Sequence, residues 1–235
     1  MDEMLDALAP VDNTTLQERV YRTLKQAIME GGFSPGEALP TRSLAEILGT
    51  SVMPVRDALV RLRADGGVEI MPNRAARVPV MSRESIAELY VIRLNLEGLA
   101  TFLAATKVTA EQLAEIERAF LDMKLACENN DVGTFLRSNQ RFHFGIYSAS
   151  RSYHLLPIIE ALWLKGGPLL RPFARGSRAD LRLHEGHEAH AAALSGLKAG
   201  DGEAARQGIL TDLANAAKWY DTNYGYLNLA GSRAG

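Results

Sequence analysis

The stretch from Leu39 to Val78 constrains this chain more than any other part of it. It reads as helix, tight turn, helix and a short arginine-bearing hairpin. Leu44, Ala45, Ile47 and Leu48 give the first helix an apolar face, Gly49 closes it, and Thr50-Ser51 can cap the next. The second helix turns Val55, Leu59 and Leu62 inward and leaves Arg56 and Arg63 outside. Val68-Glu-Ile-Met and Ala76-Arg-Val-Pro-Val then flank Pro72-Asn73-Arg74 as a hairpin. This is the pattern of a helix-turn-helix followed by a wing, a device for reading duplex DNA.

Charge supports a local rather than a global electrostatic role. The whole chain carries a formal net charge of -2. Between Arg42 and Arg77 six arginines face Glu46, Asp57, Asp65 and Glu69, a small positive excess. That predicts specific rather than indiscriminate DNA binding, and favours two copies sharing the task. Arg42 stands at the start of the first helix of the motif. Ser51, Val52, Met53 and Arg56 open the second, where a recognition helix meets base edges. Arg56 is the leading base or phosphate reader. Ser51 offers its hydroxyl to a phosphate, to the helix cap, or to both. Arg74 and Arg77 project from the wing, and Arg61 and Arg63 read as flanking surface residues.

Around this motif the spacing predicts a mainly α chain. Thr14 or Thr15 caps a helix carrying Leu16, Val20, Leu24, Ala27 and Ile28, ended by Gly31-Gly32. Helices are expected over 41–48 and 52–65. Ser82-Arg-Glu-Ser opens a second region with helices over 83–105, 110–129, 131–148, 151–165, 179–198 and 201–221. Gly166-Gly167-Pro168 reads as an interruption, with a basic, irregular or partly helical bridge over 169–178. The architecture is a winged helix-turn-helix over 13–80 followed by an all-α bundle over 81–223. A flexible arm over 1–12 and a flexible tail over 224–235 flank them. The single cysteine, Cys127, has no internal disulfide partner and reads as a helix packing residue. The start lacks a basic region before an apolar run, and no apolar stretch reaches membrane length, which predicts a cytoplasmic protein without a membrane partner.

These residues resemble the GntR family of bacterial transcription regulators. The resemblance rests on Tyr21, Leu24-Lys-Gln-Ala-Ile, Gly32-Phe-Ser-Pro-Gly-Glu-Ala-Leu, Leu44-Ala-Glu-Ile-Leu-Gly, Ser51-Val-Met-Pro-Val-Arg-Asp-Ala-Leu and Leu62. The helical remainder resembles the FCD ligand-sensing domain of the FadR-type subfamily. The resemblance implies a homodimer on a short palindromic operator of double-stranded DNA, with affinity altered by a small molecule. It implies operator contacts from Arg42, Ser51, Arg56 and the wing residues Asn73 and Arg74. Two positions depart from the family pattern: Val52 stands where arginine is usual, and Ala75 where the wing usually has glycine. Val52 or Met53 would then meet a thymine methyl instead of a guanine edge.

In the bundle, Asn139 and His143 are four apart and share a helix face. The resemblance implies a metal pocket of one aspartate and three histidines. Asn139-Gln-Arg-Phe-His143 matches the first motif, with asparagine where aspartate is usual. His187-Glu-Ala-His-Ala-Ala-Ala-Leu194 matches the next, and Asp212 stands where the last histidine is usual. The implied ligand set is Asn139, His143, His187 and Asp212, holding a divalent ion, zinc first, with nickel or manganese as alternatives. The other reading is a polar pocket whose histidines bond internally or bind the effector directly. His184 and His190 read as supporting or surface residues, His154 as packing, and Trp163 as packing that also lines the pocket or a dimer interface. Arg171, Arg175 and Arg178 read as a solvated bridge.

Arg93 lies among apolar neighbours on the first bundle helix, which predicts an inward side chain in need of an acceptor. The resemblance places it beside the metal site as an effector-binding residue; a salt bridge to Glu97 is the alternative. The functional expectation is a repressor modulated by a small organic acid. A DNA-binding protein without an effector, and a metal-dependent enzyme using His143, His187 and Asp212, are the rival readings.

Overall fold

Helix α1 (Leu16–Met29) starts at Thr15, whose hydroxyl accepts the Glu18 N–H, and buries Val20, Tyr21, Leu24, Ile28 and Met29. The computed structural model to which it belongs describes residues 15–71, 75–175 and 179–232, with the side chains of 173, 175, 179–185 and 225–232 excepted. The expected arm over 1–12, the wing residues Asn73 and Arg74, Arg178, and the side chains of Arg175 and His184 therefore lie outside the described residues.

After α1 come strand β1 (Ala38–Leu39), helix α2 (Thr41–Ile47) and helix α3 (Val52–Ala64). Gly49, at φ +61°, makes the turn between the two helices, a backbone region that glycine enters without steric cost. α3 buries Pro54, Val55, Ala58, Leu59 and Leu62 and packs on α1. Strands β2 (Glu69–Ile70) and β3 (Ala76–Arg77) form the hairpin, and β1 completes an antiparallel sheet in the order β1-β3-β2. Ala38 and Glu69 both pair with Arg77 from opposite sides. Two residues carry no readable alternation, so β1 was not anticipated, whereas the turn residues Pro72-Asn73-Arg74 marked the hairpin in the sequence.

The bundle comprises α4 (Arg83–Ala104), α5 (Ala110–Glu128), α6 (Val132–Ala149), α7 (Leu155–Arg175), α8 (Ala179–Ala199) and α9 (Gly202–Ser232). Its starts follow local chemistry. Ser82 caps α4, Thr109 and Gln112 form a reciprocal capping box on α5, and Asp131 accepts the Thr134 N–H at the head of α6. α9 packs on α8 and α4, and α5 packs on α6.

α9 runs to Ser232 with one non-helical residue at Asn223, beyond the helix expected over 201–221. One expectation fails here. α7 is a single helix through Gly166, Gly167, Pro168 and Pro172, with no break. The glycines give clearance rather than punctuation. A Cβ on Gly167 would lie 2.5 Å from the carbonyl oxygens of Ile28 and Met29. Arg171 Nε donates to the Gly31 carbonyl at 2.9 Å, and Lys25 pairs with Glu160 at 2.9 Å. This packing against α1 holds the helix despite the two amide donors that the prolines remove. Arg171 is thus a tie between the two halves of the chain, not solvated basic surface. No helix among the described residues is long and apolar enough to cross a membrane.

Candidate functional site

Three helices deliver one buried polar cluster. α6 supplies His143, α8 supplies His190 and α9 supplies Asp212. The two imidazole Nε2 atoms lie 3.1 Å apart. His143 Nε2 is 3.4 Å from Asp212 Oδ2, and His190 Nε2 is 3.4 Å from Asp212 Oδ1. Ligand atoms around a tetrahedral ion with bonds of 2.0–2.1 Å stand about 3.3 Å apart, so this triangle fits a divalent cation.

The protonation states fit as well. Burial alone would raise the Asp212 carboxyl, but His190 and His143 hold it well below the usual carboxylate range. Burial pushes the His143 imidazolium down, with partial opposition from Asp212. An ionised carboxylate and a neutral imidazole are what a cation requires.

A second line of contacts fixes His143 from behind. Tyr147 donates its hydroxyl proton to Glu97 Oε2 at 2.5 Å, and His143 Nδ1 lies 2.9 Å from the same hydroxyl. With that proton committed to Glu97, the phenol oxygen accepts from Nδ1–H, which assigns the lone pair of His143 to Nε2, facing the cluster. Burial and Glu97 raise the Tyr147 phenol well above its ordinary range, so it remains the donor. Such outer contacts orient metal-ligating histidines.

The site differs from the expected set at one position. His187 stacks on Phe120, with ring centroids 4.4 Å apart and planes at 15°, and His190 takes its place in the cluster. The two are three residues apart on α8, so helical periodicity alone places both near one face. Asn139 is buried and lines the same cavity as the cluster. Arg93, 3 % exposed, binds Glu97 through Nε–Oε1 at 2.5 Å and Nη2–Oε2 at 3.3 Å. The salt bridge weighed as its alternative role is therefore present, although Arg93 still borders the cavity. Its guanidinium lies over the rings of Trp163 and Tyr90. Sequence reasoning missed Tyr147 as an orienting group; its signal was the four-residue step from His143.

The cavity has a volume of about 30 Å³ and is bordered by Tyr90, Arg93, Asn139, Trp163 and the three cluster residues. It has room for an ion or one or two waters, since a water needs about 10–15 Å³ by this measure.

At the other end of the chain, Arg42, Ser51, Met53 and Arg56 are exposed on the helix-turn-helix. Ser51 occupies the N-cap position of α3 without a side-chain cap bond, so its hydroxyl is not committed to the helix. Val52 is half-buried against the core, so much of its side chain serves packing. Neither Arg42 nor Arg56 has an ion-pair partner among the described residues. Arg61, by contrast, pairs with Glu18 at 2.5 Å and covers the Tyr21 ring at 3.7 Å. Arg77 pairs with Glu69 across the wing.

Known proteins resemble this chain in sequence and fold. Residues 16–78 match the family of bacterial regulatory proteins named gntR, and residues 88–215 match the FCD domain. The HTH-type transcriptional regulator McbR of Escherichia coli (strain K12) is 34 % identical over 195 residues, which cover 83 % of this chain and 87 % of McbR. The probable D-xylose utilization operon transcriptional repressor of Paenarthrobacter nicotinovorans is 28 % identical, over 86 % of this chain and 87 % of its own length. The solved structure of E. coli McbR/YncC superposes with a TM-score of 0.78 at 31 % identity, covering 92 % of this chain and 98 % of that one. These relatives are transcription regulators, which removes the enzymatic reading. The chain belongs to the GntR family of bacterial transcription regulators and carries an FCD domain.

Proposed function

We propose that this regulator is a homodimeric repressor whose hold on a palindromic operator is set by a small organic acid and a divalent ion in its helical bundle. The His143–His190–Asp212 triangle carries the reading. Two imidazoles and a carboxylate at ligand spacing, inside a bundle, have no packing purpose that apolar residues would not serve better. Asn139 adds a neutral oxygen donor to the cavity. Zinc suits the set first, with nickel and manganese next. A bound ion would supply a Lewis-acid anchor for an acid's carboxylate. The chain's own residues orient His143 through Tyr147 and Glu97, and exclude bulk water.

Homodimerisation draws support from α4. Val91, Ile92, Leu99 and Phe102 are 59 %, 39 %, 47 % and 44 % exposed on its outer side, an apolar stripe suited to a second copy. The DNA-reading surface consists of Arg42, Ser51, Met53 and Arg56, with Asn73 and Arg74 in the wing.

Linkage between bundle and DNA runs through α7. Trp163 borders the cavity, while the adjacent Leu164 meets the base of the wing, where a Cβ on Gly67 would lie 2.8 Å from its side chain. Two recognition helices must match successive major grooves, so a small reorientation at this contact costs operator affinity.

The test is calorimetric titration of chelator-treated protein with zinc, nickel and manganese. Operator duplex selected from genomic fragments is then bound with and without small carboxylic acids. Stoichiometric metal uptake and acid-dependent release of DNA support the proposal. Protein that takes up no ion and holds DNA unchanged in every acid refutes it.

A further inference from the structure

Trp163 carries a buried donor without an acceptor. Its indole Nε1 has no hydrogen-bond partner among the described residues, and the side chain is 1 % exposed. Buried N–H groups are nearly always paired, because leaving one unpaired forfeits its hydration. The ring is fixed on several sides: Arg93 lies over it at 4.8 Å, Phe144 meets it edge-on at 5.2 Å, and His143 stands 5.3 Å away. Trp163 therefore cannot readily turn to find a partner elsewhere, and it borders the cavity of the cluster. Arg93 is another donor there, with its Nε and Nη2 engaged by Glu97.

We propose that Trp163 reads the effector, its indole N–H donating to one oxygen of a compact carboxylate whose other oxygen faces His143, His190 and Asp212. This rests on the sensor function proposed above and assigns the recognition to a residue of this chain. The donor calls for an acceptor, and the cavity of about 30 Å³ limits any acid to a compact one, admitted as lining side chains shift. A hydrocarbon of similar size would leave the N–H as it is. Because Trp163 stands on α7 beside Leu164, the residue that recognises the acid also belongs to the helix that meets the wing.

The chain has two tryptophans, Trp163 and Trp219, so a nitrogen-15-labelled sample gives two indole signals, assigned with W163F. Zinc-loaded full-length protein is titrated with acetate, lactate and pyruvate, and heats of binding are recorded in parallel. The expected result is a downfield movement of the Trp163 indole proton while Trp219 stays in place. W163F, which keeps an aromatic ring but loses the donor, should bind the same acid about tenfold more weakly or worse. Zinc affinity of W163F reports whether the cluster survives the substitution; if it does not, the wild-type titration decides alone. An acid that binds without moving the Trp163 signal overturns this inference and leaves the sensor function standing. No heat and no movement with any of the three acids also overturns this inference, while metal uptake and acid-dependent DNA release judge the sensor function separately.

Discussion

His143 and His190 present their Nε2 atoms to each other at 3.1 Å from two different helices, with the carboxylate of Asp212 closing the triangle. Removing either imidazole should therefore remove a ligand. His190→Ala is expected to weaken zinc binding by about 100-fold or more, beyond the range seen when only supporting contacts are lost. His187→Ala, which removes the stack on Phe120, should leave the affinity unchanged. Calorimetry on the two variants decides between the neighbouring histidines.

Asn139→Asp adds a second carboxylate to the cavity that Asp212 lines. Without metal the like charges repel, and thermal stability should fall. With metal the added anion should tighten zinc binding by about tenfold, equivalent to about 1.4 kcal/mol. Melting curves with chelator and with zinc should move in opposite directions relative to wild type.

The arginines of α3 should separate by role. Arg56→Ala is expected to cost about 1–3 kcal/mol of operator binding. Arg61→Ala removes the ion pair to Glu18 and the cover over Tyr21, so it should lower the melting temperature while operator affinity holds. Fluorescence anisotropy with operator duplex, next to thermal melts, tests both.

Gly167→Ala drives a methyl into the carbonyls of Ile28 and Met29. The α1–α7 contact must open, at a cost of about 1–3 kcal/mol in chemical denaturation.

Cys127 tests the bundle by its reactivity. Burial, with a smaller contribution from Glu128, raises its thiol from 9.0 to about 11. A raised thiol is neutral over a wider range, so at pH 8 alkylation should run about 100-fold slower than for a free thiol and accelerate towards pH 11. A rate equal to that of a free thiol would contradict the packing around α5.

Much of this was legible in the residues. Thr15, Ser82, Thr109 and Asp131 mark helix starts through local hydrogen bonds, and local chemistry is what a sequence displays. The recognition helix was readable for the same reason: Val55, Leu59 and Leu62 repeat at helical spacing. Tertiary use of a residue was not readable. Gly166-Gly167 has the composition of a break, and only the backbone of α1 pressed against it reveals a continuous helix. His187 and His190 differ by less than one turn, so the choice between them depends on the rotation of α8 against α6 and α9. Glu97 was weighed as a partner for Arg93, yet its hydrogen bond from Tyr147 depends on α6 lying alongside α4.

The small space beside the cluster has a pharmacological consequence. At about 30 Å³ it offers no resting place for an organic molecule, acetate included, until side chains give way. Occupancy and displacement are then one event. A blocker that fills the site silently, competing with the effector while leaving the protein's shape untouched, has nowhere to sit.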